Sequence, residues 1–151
     1  MINFRPDPKP PKKEKKKPVP LKRTAIRKQF KASGEGALFD DILNTRKHLS
    51  FVSGLPIDII DNVTDHSNCH HVLFPKDTYK RFRCYKKNII LVTKYEHWLI
   101  HSGGIERRKK YVQEISIMYG KKVDWEKLDN LRADLYFLHE TNPKLDYSKY
   151  E

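Results

Sequence analysis

The chain places His70 and His71 side by side, Asn88 after a loop, and then His97 and His101 four residues apart. That order tightly constrains the local fold. Residues four apart share one face of an α-helix, so His97 and His101 can reach a common ion. Neighbours in a β-strand point to opposite sides, so one of His70 and His71 can ligate that ion while the other stays free to move a proton. The pattern predicts a hairpin running into a short helix. A histidine met singly on a helix is ordinarily a surface or core residue. His48, His66 and His139 are read that way, with His66 as a minor candidate for an auxiliary ligand.

Caps and periods supply the surroundings. Ser33 and Gly34 precede a helix expected over residues 35–48, with Leu38, Phe39, Ile42 and Leu43 on its apolar stripe. Residues 51–60 read as a short strand and turn, bent at Gly54 and Pro56. The hairpin strands are expected over 68–74 and 88–92, the first ended by Pro75. Thr93 and Glu96 have the spacing of a capping box and would start the helix that carries His97 and His101. Two further helices are expected over 105–119, stopped by Gly120, and over 125–140, between Asp124 and Asn142-Pro143. Their Tyr111, Ile115, Met118, Trp125, Leu128, Leu131, Leu135 and Leu138 suffice for a packed pair or a dimer face, so the oligomeric state stays open. The expected class is α+β.

The segments Asn68-Cys69-His70-His71-Val72-Leu73 and Asn88-Ile89-Ile90-Leu91-Val92-Thr93-Lys94-Tyr95-Glu96-His97-Trp98-Leu99-Ile100-His101 resemble the HNH, or His-Me finger, nucleases and their ββα-metal motif. The resemblance covers residues 68–101 of a domain expected over 33–151. It implies His70, His97 and His101 as metal ligands, His71 as general base, and Asn88 as the residue that holds the base's imidazole by hydrogen bonding. It further implies a DNA endonuclease leaving 5′-phosphate and 3′-hydroxyl ends, with one divalent ion. Three neutral imidazoles suit Zn, Ni, Co or Mn better than Mg, and Mg or Mn stays open as the working ion. The arm, described below, and the trailing helices also resemble phage recombination-associated HNH proteins of the NinG/Rap kind. That would make the substrate a branched or single-stranded replication or recombination intermediate and add a phage or host replication or recombination protein as a partner. The alternatives are a non-catalytic DNA-binding module with a structural ion, and an accessory protein directed by its partner.

Many HNH proteins carry two Cys-x-x-Cys knuckles that hold a second, structural zinc. Here Ser50-Phe51-Val52-Ser53-Gly54 and Thr93-Lys94-Tyr95-Glu96 stand in those places. Hydroxyls are poor zinc ligands, so no structural zinc is expected. Packing by Phe51, Val52, Leu55, Ile57, Ile59 and Ile60 is expected to hold the hairpin instead. Cys69 and Cys84 are not spaced as a knuckle and read as small half-buried thiols.

Charge divides the chain. Residues 1–31 hold twelve Lys or Arg against Asp7 and Glu14, which is +10 of the whole chain's +12. Six prolines there favour an extended, solvated arm, expected to be disordered over residues 1–32 until it meets a polyanion. Each lysine that meets a phosphate releases a counterion, so such an arm raises nucleic-acid affinity without reading sequence. A localisation signal or a solubility device has the same composition. Lys22, Arg23 and Arg27 would join arm to domain along the DNA backbone. Lys76, Arg81, Arg83, Lys86 and Lys87, in a basic and aromatic loop, are the other candidate phosphate contacts. No apolar run approaches the length of a membrane span and no apolar signal segment precedes the chain, so a soluble protein of a reducing cytoplasm, in the host cell if phage-encoded, is expected.

Overall fold

The computed structural model describes residues 33–76 and 78–147, together with Ala25 and Lys28. Among these residues the fold is mixed helix and strand. Its elements are α1 (Glu35–Thr45), α2 (Ile57–Ile60), β1 (Cys69–His71), β2 (Ile89–Leu91), α3 (Lys94–Ser102), α4 (Ile105–Tyr119) and α5 (Trp125–Thr141). Lys22, Arg23, Arg27 and the rest of the basic arm lie outside the described residues. Ala25 and Lys28 have helical backbone, so the extended conformation expected of the arm does not hold at those two positions.

The strands form an antiparallel ladder with Cys69 opposite Leu91, His70 opposite Ile90 and His71 opposite Ile89. Each is three residues long, shorter than the hydrophobic runs predicted. Alternation still sorts the side chains onto two faces. Cys69, Ile89 and Leu91 pack with Phe39 and Ile42 of α1 and Ile57 of α2. Ile90, Val72 and Val92 pack with Leu99 and Ile100 of α3 and with the Tyr111, Ile115, Leu128 and Leu135 side chains of α4 and α5. A two-stranded hairpin alone is marginal in water, so helices on both faces are what stabilise it.

Residues 51–60 depart from the expected strand. Only Leu49 and Pro56 bridge, Gly54 turns the chain with φ 67°, and Ile57–Ile60 is helical. Pro56, at φ −69°, cannot donate to a ladder but precedes a helix readily, and Asp58 sits in the first turn, where a carboxylate is favoured. Val52, Leu55 and Ile57 are buried as predicted, Phe51 and Ile60 pack partly against the core, and Ile59 is 74% exposed. Helix α1 ends at Thr45, short of His48. His48 instead folds back, donating from Nε2 to the Leu43 carbonyl (2.7 Å) and meeting Asp58 with Nδ1 (2.9 Å).

Helix α3 begins at the capping box read from the sequence. Thr93 Oγ1 accepts from Glu96 N (3.2 Å), and Glu96 Oε2 accepts from Thr93 N (2.9 Å). The Glu96 carboxylate is fully buried and serves more than the cap. Ser50 Oγ donates to Oε2, Tyr111 donates to Oε1 (2.8 Å), and Ser50 Oγ accepts in turn from Ser53 N (3.3 Å). The four positions that would carry knuckle cysteines, 50, 53, 93 and 96, thus converge on one hydrogen-bonded carboxylate. The helix stops at Gly103, where a β-carbon would lie 2.8 Å from the Leu99 carbonyl oxygen. Asp124 caps α5 by accepting from Lys127 N (3.1 Å), and Gly120, at φ 57°, ends α4. Met118, expected in the helix pair, is 70% exposed.

Candidate metal centre

His70 leaves the α3-facing side of β1 and meets His97 and His101 there. The three ring centroids lie 4.9, 5.0 and 5.1 Å apart, and one ligand nitrogen from each falls within 4.8 Å of the others. His70 is 1% exposed, yet neither of its ring nitrogens has a hydrogen-bond partner. A buried polar atom without a partner costs about 1–3 kcal/mol, so an imidazole with two of them calls for a ligand. Burial, then the neighbouring imidazoles, push its pKa down to about 2, which keeps the ring neutral and its lone pair available. His97 donates from Nδ1 to the Ser67 carbonyl (2.7 Å). A carbonyl can only accept, so Nδ1 carries the proton and Nε2 presents the lone pair, the arrangement that a carbonyl on the far nitrogen imposes on metal-binding histidines. His101, at the exposed rim, has its pKa lowered by burial and by His97. A tetrahedral ion with bonds of about 2.1 Å fits this spacing with a small closure of the rings. The three histidines can therefore hold a metal ion.

His71 leaves the other face. Its Nε2 donates to the Arg83 carbonyl (2.9 Å), and its ring packs on Phe39. By the same reasoning the proton sits on Nε2, and Nδ1 is the nitrogen with a lone pair to offer. Burial lowers its pKa against the raising effect of that carbonyl. The two histidines diverge from adjacent positions yet line one cavity of about 490 Å³ over the free edge of β1, with His97, His101, Phe39, Phe74, Pro75 and Lys76.

Asn88 does not touch the His71 ring, which corrects the expectation drawn from the family. Its Oδ1 accepts from Leu73 N (2.7 Å) and its Nδ2 donates to the Phe82 carbonyl (3.0 Å). A carboxamide buried between strand end and loop satisfies backbone groups first. It ties down the loop at Phe82, one residue before the Arg83 whose carbonyl meets His71.

Glu35 escaped the sequence reading. It is fully buried at the start of α1, where Oε1 lies 3.3 Å from His71 Nε2 and 3.2 Å from Lys76 Nζ, and Oε2 accepts from Arg83 (3.0 Å). Burial would raise its pKa, but Arg83 and Lys76 outweigh burial and lower it. The signal was present: Glu35 stands three, four and seven residues before Leu38, Phe39 and Ile42, on the apolar stripe itself.

The candidate phosphate contacts divide. Lys76 lines the cavity and Arg83 does not, and both pair with Glu35. Lys86 pairs with Asp41 (2.8 Å) and Lys87 is exposed. Arg81 is turned away, donating to the carbonyls of His139 and Asn142 at the end of α5, where the last carbonyls lack intrahelical donors, and to that of Leu145 beyond it. His66, the auxiliary candidate, lines the cavity but pairs with Asp40 (2.6 Å). Cys69 and Cys84 are free thiols. Burial raises both, Cys69 to about 11. Among the described residues no helix is long and apolar enough to cross a membrane. Comparison of the chain with family models, curated proteins and solved structures finds no match to any of them.

Proposed function

We propose that the protein is a divalent-metal-dependent HNH-type endonuclease that hydrolyses DNA phosphodiester bonds on replication or recombination intermediates, leaving 5′-phosphate and 3′-hydroxyl ends. One observation carries this reading. A buried histidine with both nitrogens unpartnered faces two more histidines, while its sequence neighbour, held in one tautomer by a carbonyl, opens into the same cavity. His70, His97 and His101 would hold the ion, with Mn, Zn, Ni or Mg as candidates. Bound there, a divalent ion supplies charge stabilisation to a phosphate oxygen and the leaving oxygen. His71 would take a proton from water on Nδ1 while Nε2–H stays on the Arg83 carbonyl. Glu35 sits where it stabilises the imidazolium that results. The basic arm would add salt-sensitive affinity without sequence preference.

His71→Ala tests the division of labour. Plasmid cutting with Mn is expected to fall about 10²–10⁴-fold, the usual contribution of a general base, with Mn affinity by calorimetry unchanged. Loss of Mn binding together with cutting would show that His71 is a ligand. A retarded but uncut plasmid with the unaltered protein would favour a binding module with a structural ion.

A further inference from the structure

A phosphodiester brings negative charge to the triad, and Lys76, which lines its cavity, is already committed to Glu35. Arg132 is not. It projects from α5 into solvent with its guanidinium carbon 4.8 Å from the centre of the Phe74 ring. Phe74 in turn packs against His101 at 4.7 Å and His70 at 5.6 Å. The guanidinium is thus one aromatic ring away from two of the three histidines. Among the described residues no carboxylate pairs with it, and Asp129, one turn earlier in the same groove, makes no ion pair with it. A guanidinium laid over an aromatic face loses little further freedom on binding and keeps its N–H edge free for a phosphate.

We infer that Arg132 is a phosphate-binding residue, holding the backbone phosphate next to the one at the histidine triad. The inference rests on the nuclease reading for its substrate, but the binding it describes does not require hydrolysis. Phe74 acts as the spacer that sets the distance from ion to guanidinium. Because the contact is made before and during reaction alike, it contributes to affinity and not to turnover.

The test uses the full chain and a short DNA oligonucleotide. Without added metal and with chelator, Arg132→Gln is expected to weaken binding severalfold and to lower the slope of log affinity against log salt by about 1. Arg132→Lys should keep the slope. With Mn, Arg132→Gln should raise KM severalfold and leave kcat within about twofold. The melting temperature and Mn affinity should not move, since the side chain is exposed and is not a ligand. Lys127→Gln removes a similar cation, held over Phe51 and not over Phe74, and should leave KM unchanged. An unchanged salt slope in Arg132→Gln, or a fall in kcat at constant KM, would overturn the assignment. A protein that binds with the expected slope but cuts nothing would sink the nuclease reading and leave Arg132 standing.

Discussion

Two buried polar clusters lie on either side of α3, and they are built to opposite rules. Around Glu96 the polar atoms meet partners: Ser50, Thr93 and Tyr111 all donate to one carboxylate. Around His70 they do not, since both imidazole nitrogens are out of water and without a hydrogen bond. The first cluster ties the start of α3 to residues 50–53 and to α4. The second leaves two buried nitrogens without partners, in a group of three histidines that could hold an ion. Completeness of hydrogen bonding, more than burial or polarity, separates architecture from a binding site.

The comparison breaks most clearly at His70. In His70→Leu, Mn, Zn or Ni binding measured by calorimetry should disappear, and the metal-free protein should gain about 1–2 kcal/mol in urea unfolding as the unpartnered nitrogens go. Destabilisation of the metal-free form would mean that the ring already has partners. Glu96→Ala should move stability the other way, by roughly 3 kcal/mol. Three buried donors then lose their acceptor, and α3 loses one half of its capping box. If that variant unfolds at the same urea concentration as the unaltered protein, the carboxylate is not the staple of the hairpin. The smallest effect is on pH dependence. Glu35 has a folded pKa below its ordinary value of 4.5, so its contribution is present above that value and is lost as pH falls through the folded one. The stability difference between pH 6 and pH 3 should therefore narrow in Glu35→Gln, and an unchanged difference would remove Glu35 from the acid response.

Much of the triad was legible because its rules are local. The four-residue interval of His97 and His101, the two-sided habit of a strand at His70 and His71, and the Thr93–Glu96 box each depend on a few residues of chain. What escaped depends on distant partners. Nothing near Asn88 says that its carboxamide will join Leu73 N to the Phe82 carbonyl, and nothing near Arg81 says that the end of α5 will claim it. Glu35 meets Arg83 across 48 residues, although a carboxylate on an apolar stripe was a warning. At residues 57–60 the β-branched isoleucines argued for a strand. Tertiary burial of Ile57 and the helix-starting Pro56 overrode that local preference.

The ladder that carries His70 and His71 is only three rungs long, and a slide of one residue, about 3.4 Å, would trade the two rings across the sheet. Under the proposed nuclease reading, the ion would then face the proton carrier, and the proton carrier's seat would hold a ligand. The backbones of two asparagines mark the ends of the ladder against that error: Val72 N reaches the Asn88 carbonyl (2.8 Å) and Val92 N the Asn68 carbonyl (2.9 Å). Alignment of so brief a ribbon therefore decides which of two identical side chains meets His97 and His101 and which meets the Arg83 carbonyl.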